Sequence, residues 1–88
     1  MSSNLIVYSA RLCSDCQALK QWMDSKNIKY ITRDIRESKQ YSHELITATG
    51  KEGVPFLLVN GEWVRGYQVG KMFDPEWCEN LFIKLKLI

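Results

Sequence analysis

No stretch of this sequence approaches the roughly 20 consecutive apolar residues that a membrane-crossing helix needs. The opening Met1-Ser2-Ser3-Asn4 lacks the charged start and apolar stretch of a secretory leader, so the reducing cytosol is the expected compartment. Charge of one sign is also scarce. The 12 Lys and Arg nearly balance the 10 Asp and Glu, leaving +2. Such a balance gives no reason to expect nucleic acid or an anionic membrane as partner. The basic residues are scattered, and Lys84 and Lys86 alternate with Leu85 and Leu87, which suits stems lying over apolar surface with their heads in water. Linkers, repeats and low-complexity segments are lacking too. Histidine occurs once and cysteine 3 times, too few and too unevenly spaced for a disulfide framework.

What is present fits one small domain over residues 1–88. An 88-residue chain has no room for two domains, and it buries about 60–65% of its unfolded surface. The apolar share of 45% is ordinary for a globular domain.

The pattern predicts a regular alternation of elements. Leu5-Ile6-Val7-Tyr8 is short and rich in β-branched residues, and reads as a buried strand over 5–9. Leu12, Cys16, Leu19 and Met23 recur at helical spacing, predicting a helix over 14–26 with one apolar stripe. Residues 29–32 read as a second strand, parallel to the first through a right-handed crossover. A second helix is expected over 38–49, with Tyr41, Leu45 and Ala48 on its inner face and Gly50 as its stop. The run Phe56-Leu57-Leu58-Val59 fits a strand buried on both faces. Asn60-Gly61 is a strong hairpin signal, and 62–65 should return antiparallel. Asp74-Pro75-Glu76 is a helix start, with a capping Asp, a Pro at the first turn and an acid at the positive end of the dipole. Trp77, Leu81, Leu85 and Ile88 should form that helix's buried stripe. The order β-α-β-α-β-β-α satisfies an α/β architecture in which a four-stranded mixed sheet is flanked by three helices, the thioredoxin-like arrangement.

The chemistry centres on Cys13-Ser14-Asp15-Cys16. A Cys-x-x-Cys pair at the strand-to-helix turn of a βαβ unit reads as a redox motif. Unpaired N–H groups and the dipole at a helix start stabilise a thiolate, and thiols so placed fall from about 8.5 to roughly 3.5–7.5. The thiolate is the attacking species in disulfide exchange. Cys16, one turn on and within the apolar stripe, is the resolving partner and the more buried of the two. Arg11 adds positive potential near Cys13, whereas Asp15 opposes thiolate formation. Inert thiols and half of a zinc site are the other readings. Structural zinc usually takes four ligands, and only Cys78 and His43 remain, at unrelated spacing. Cys78 reads as a small apolar residue, or as a secondary modification site. His43 should face solvent. Trp22 and Trp77 read as core, and one of Trp63 and Val64 as exposed.

These residues resemble a glutaredoxin over nearly the whole chain. The resemblance is carried by Val7-Tyr8-Ser9 before the cysteine pair, Tyr30 with Asp34-Ile35, Glu44-Leu45 through Thr49-Gly50, Val54-Pro55, and Val59-Asn60-Gly61. It implies a glutathione- or thioredoxin-reductase-dependent disulfide oxidoreductase with Cys13 as nucleophile and Cys16 as resolving thiol. It implies a cis bond at Val54–Pro55 facing Cys13, so that Val54 offers its backbone to glutathione or a peptide as an added strand. Arg11, Val54, Pro55, Gly66, Tyr67 and Gln68 are then the substrate or glutathione-binding residues. The implied partners are glutathione as co-substrate, thioredoxin reductase and disulfide-containing proteins, with the protein a monomer that keeps no permanent cofactor or metal. The pattern departs from the family in places. Ser14 stands where Pro is common, and in some dithiol members Ser there accompanies a [2Fe–2S] cluster shared between two protomers, so a cluster carrier is an alternative reading. A redox-sensing adaptor without turnover is another. Gly66-Tyr67 also resembles the glutaredoxin-like redoxins that draw electrons from thioredoxin reductase. The family's Gly-Gly turn is only partly present at Arg65-Gly66-Tyr67-Gln68, and Val69-Gly70-Lys71-Met72-Phe73 reads as extra loop.

Overall fold

Alternating side chains along Leu5–Ser9 form strand β1 and divide the molecule into two apolar layers. The computed structural model describes residues 4–88, so the leader expectation for Met1-Ser2-Ser3 lies outside the described residues. Six further elements follow: helix α1 Ser14–Ser25, strand β2 Ile31–Asp34, helix α2 Lys39–Thr49, strand β3 Phe56–Val59, strand β4 Glu62–Arg65 and helix α3 Pro75–Lys84. The sheet order is β2-β1-β3-β4. β1 pairs parallel with β2, Val7 opposite Thr32, and antiparallel with β3, Val7 opposite Leu57. β4 completes the sheet antiparallel to β3, with Leu58 opposite Trp63. This is the expected thioredoxin-like fold.

Leu5 and Val7 of β1 face Leu19 and Met23 of α1, Leu57 and Val59 of β3, and Cys78 and Phe82 of α3. The opposite face is thinner. Tyr8 meets Ile35 and Leu45 there, with Ile6, Phe56, Leu58 and Trp63 half-buried around them. β3 therefore has one fully buried face and one half-buried face, rather than two buried faces. Each fully buried Leu, Met or Phe side chain contributes about 1.5–3 kcal/mol relative to exposure.

Local signals fix the turns. Gly50 ends α2 at φ 89°, and Asn60 and Gly61 take φ 51° and 87° in the hairpin. Asp74 caps α3 by accepting a hydrogen bond from the Glu76 N–H at 3.0 Å.

Several expectations need correction. β2 begins two residues later than expected, because it is an edge strand whose Ile31 faces water and whose apolar pattern carries no burial. Leu12 is 94% exposed, since it sits in the turn before α1 and not on the helix stripe. Ala48 of α2 is exposed. Ile88 lies beyond α3 and is exposed, and the buried row of that helix is Cys78–Phe82, flanked by Trp77, Leu81 and Leu85. Trp63 and Val64 are both half-buried, Trp63 packing on Tyr8 with ring centroids 4.9 Å apart.

Cys78 is a core residue, 1% exposed, and burial pushes its thiol up to about 12. The unfolded chain ionises the same thiol near its ordinary value of about 8.5, so above that pH the unfolded state loses a proton that the folded state keeps. Stability must fall as pH rises, by about 1.4 kcal/mol per unit for this thiol between the two values. Urea midpoints of the reduced protein are expected to drop from pH 8 to pH 10.5, and Cys78→Ala should make that slope shallower. Identical slopes would remove Cys78 from the account.

Candidate active site

The chain leaves β1 at Ser9 and turns at once, the Cys13 N–H donating to the Ala10 carbonyl at 3.0 Å. The turn delivers Cys13 as the cap of α1, with extended backbone at φ −88° and ψ 115°. Its Sγ accepts a hydrogen bond from the Cys16 N–H at 3.2 Å. An N–H aimed at sulfur from a helix start stabilises negative charge there, as a capping oxygen would be stabilised. Cys13 is half-buried and Cys16 is buried, so the first residue of the pair is the more accessible. Burial, followed by the hydrogen bond with Cys13, pushes the Cys16 thiol up, with a smaller push from the Asp15 carboxylate. Cys16 therefore stays protonated at neutral pH. The two thiols are chemically distinct although only two residues separate them.

The opposing wall is the strand entry at Val54-Pro55. That peptide bond is cis, as the resemblance implies, and the Cys13 thiol points at the Val54 carbonyl in a weak 3.9 Å contact. Pro55 is fully buried, and its carbonyl accepts from the Gly66 N–H at 3.0 Å. A Cβ on Gly66 would lie 3.0 Å from that same oxygen, so a larger residue there needs the Pro55 carbonyl to give by a few tenths of an ångström. Tyr67 and Gln68 follow, half-buried, and line an open groove of about 700 Å³ together with Ser14 and Val54. The Arg65 guanidinium lies 5.6 Å from the centre of the Tyr67 ring.

The structure thus gathers Cys13, Cys16, Val54, Pro55, Gly66, Tyr67 and Gln68 at one end of the sheet. Arg11 is not brought into this groove. It is exposed, its guanidinium pairs with Glu37 at 3.7 Å, and it borders a second groove, lined also by Cys16 with Ser9, Lys20 and Asp34. That ion pair is set by the β2–α2 turn, which the local sequence around Arg11 does not display. Gly53 is a neighbour that sequence reasoning missed. A Cβ there would collide with the Tyr67 hydroxyl, so Gly53 leaves the space that Tyr67 fills. The signal was its place next to Val54-Pro55. Among the described residues no three His, Cys, Asp or Glu side chains converge as a metal-binding group, and none of the helices is long and apolar enough to cross a membrane.

A thioredoxin-like sheet with a Cys-x-x-Cys pair at the first helix start, facing a cis-Pro strand entry, defines the class of thiol redox folds. Residues 5–64 match the glutaredoxin family model, and the chain belongs to the glutaredoxin family. Over 61 residues it is 25% identical to an uncharacterized glutaredoxin-like 8.6 kDa protein in the rubredoxin operon of Clostridium pasteurianum, a match covering 69% of this chain and 81% of that one. Among solved structures, a thioredoxin-like protein superposes with a TM-score of 0.73 at 21% identity, covering 97% of both chains. The glutaredoxin of Archaeoglobus fulgidus gives 0.68 at 15% identity, covering 92% of this chain and 84% of that one. A buckwheat glutaredoxin–glutathione complex gives 0.65 at 17% identity, covering 98% and 82%.

Proposed function

We propose that this protein is a thiol–disulfide oxidoreductase that reduces protein disulfides or glutathione mixed disulfides. The observation that carries the reading is the asymmetry of the pair. Cys13 is the more exposed and accepts an N–H at its sulfur, while Cys16 is buried and stays protonated. In the first step the Cys13 thiolate attacks one sulfur of the substrate disulfide. A Cys13–substrate disulfide forms, and the other substrate sulfur leaves as a thiolate and takes a proton. In the second step Cys16 gives up its proton and attacks Cys13 Sγ. The Cys13–Cys16 disulfide forms and the remaining substrate sulfur departs reduced, two electrons having passed from the dithiol to the substrate. Glutathione or a thioredoxin reductase would then return the oxidised pair to the dithiol. The buckwheat relative's complex with glutathione supports the first of these donors. On this reading the setting is the reducing cytosol, where a dithiol persists. Val54 would present its backbone to an extended substrate as an added strand beside Cys13.

The test separates the two steps. Cys16→Ser should still form the mixed disulfide but fail to release it. Mass spectrometry of this variant after mixing with a disulfide substrate is expected to show the adduct on Cys13 accumulating to one per chain. The wild type should pass on to the internal disulfide instead. A Cys16→Ser protein that forms no adduct would overturn the assignment of Cys13 as nucleophile.

A further inference from the structure

A polar cluster on the thinner face of the sheet takes no part in the exchange steps. Tyr8 of β1 is buried, and its hydroxyl donates to the Glu44 carboxylate of α2 at 2.7 Å. The Arg33 guanidinium of β2 donates to that hydroxyl oxygen at 2.7 Å and to the same carboxylate oxygen at 3.1 Å. It also lies 5.6 Å from the centre of the Tyr8 ring and 5.4 Å from that of Tyr41. Three elements therefore meet at one carboxylate. Arg33–Glu44 is the shortest and least exposed of the ion pairs among the described residues. The Tyr8 hydrogen bond holds the Glu44 carboxyl below its usual range, so the cluster is charged at neutral pH, and hydrogen bonds to charged groups are the strong ones. Helix α2 has little else to hold it. Its buried residue is Leu45, whereas α1 buries Cys16, Leu19 and Met23. Val54 rests on this face. It lies a short turn beyond the end of α2 at Thr49, and its side chain packs against Tyr8, Ile35 and Leu45. Ala10 touches this face as well, but Cys13 belongs to α1, which Leu19 and Met23 seat in the opposite layer.

We propose that Arg33, Tyr8 and Glu44 are positioning residues: by clamping α2 to β1 and β2 they keep the Val54 backbone set opposite Cys13 before an extended substrate arrives. The proposal rests on the oxidoreductase reading above, in which that backbone pairs with the substrate as an added strand. None of the three touches a sulfur. Opening the clamp leaves the thiol chemistry in place and loosens the wall along which the substrate lies. A wall that must be ordered on binding loses affinity by the cost of its ordering, and a preformed wall does not. The three act as one unit, because removing any of them leaves the other two short of a hydrogen bond. The effect falls on the first exchange step, whose atoms and electrons are those given above, and only with substrates long enough to reach Val54.

The experiment compares reagents of different reach. Reduced wild type, Glu44→Gln and Arg33→Met are each mixed with an excess of three compounds. The first is an extended peptide whose central cysteine carries a disulfide to a small thiol. The second is bis(2-hydroxyethyl) disulfide, too short to lie along Val54. The third is iodoacetamide, which reports the ionisation and access of Cys13. Both substituted positions are only half-buried, which limits damage to the fold. With the peptide disulfide each variant is expected to need a roughly three- to tenfold higher concentration for half-saturation, with the plateau rate kept. The rates with the two short reagents should stay within about twofold of wild type, and the pH profile of iodoacetamide should not move. The double variant should lose no more than the worse of the two singles, as members of one unit do. A peptide half-saturation unchanged in both variants, a loss shared equally by all three reagents, or losses that multiply in the double variant would overturn the clamp and leave the redox reading standing. Wild-type protein that reduces neither disulfide would overturn the oxidoreductase reading on which the clamp rests.

Discussion

Cys13→Ser is expected to lower disulfide reduction to the uncatalysed background. The substitution is a clean test, because serine is among the best helix caps and can accept the Cys16 N–H that Cys13 Sγ accepts at 3.2 Å. The start of α1 should therefore persist, and a urea midpoint close to wild type would show that it does. What is lost is the chemistry, since a serine hydroxyl does not ionise at neutral pH and cannot form the mixed disulfide from which the second step proceeds. Stoppered assays with a disulfide substrate and a reductant would read the loss directly. Activity retained in this variant would remove Cys13 from the reaction, and with it the proposed function.

The largest expected loss of stability comes from Phe82→Ala. Phe82 is fully buried on α3, where its ring meets Trp22 of α1 edge-on with centroids 4.9 Å apart. It fills the layer between the two helices and Leu57 and Val59 of the sheet. Truncating a buried Phe costs about 3–5 kcal/mol, the transfer free energy plus the cavity left behind. Domains of this size hold total stabilities near the lower part of the usual ~5–15 kcal/mol. At about 4–8 °C per kcal/mol the midpoint should fall by roughly 15 °C or more. The adjacent Ile83, 55% exposed, is the internal control, and Ile83→Ala is expected to stay within about 0.5 kcal/mol of wild type. Thermal unfolding of the two variants side by side checks this. Equal losses would mean that α3 does not pack through Phe82.

The same helix shows what the sequence displays and what it hides. Asp74-Pro75-Glu76 announces its start, because capping is a matter of three or four neighbouring residues. Which of its rows is buried is another matter. The row Trp77–Leu81–Leu85 is as apolar as the row Cys78–Phe82, and it is the packing against α1 on the same face of the sheet that takes the second into full burial. β2 illustrates the same limit. Its bounds are set by pairing with Ile6 to Ser9, and as an edge strand it shows little of the burial that makes a strand visible in sequence. The site divides in the same way. Cys13, Cys16, Val54 and Pro55 stand in recognisable local patterns and do meet in space. The direction of Arg11 depends on Glu37, and the seat of Tyr67 depends on Gly53, contacts between residues whose own neighbourhoods in sequence show nothing unusual. Leu12 misled for a simpler reason. It continues the apolar spacing of α1 backwards by one turn, but the chain at that point has not yet become helical.

Gly53 and Gly66 have a bearing on how a mutational library of this protein would look. Neither touches a proton or a sulfur, yet each leaves room for a neighbour, Gly53 for the Tyr67 phenol and Gly66 for the Pro55 carbonyl. In a selection that scores every substitution, Gly53 should accept small residues wherever the Tyr67 hydroxyl, the tip of its side chain, swings aside, and Gly66 should accept them where the Pro55 carbonyl gives by a few tenths of an ångström. A scan for activity alone would place the two glycines between the cysteines and the exposed surface. Counting surviving protein alongside activity would separate them: loss at the glycines should come with altered packing around the groove, and loss at Cys13 with a molecule otherwise intact.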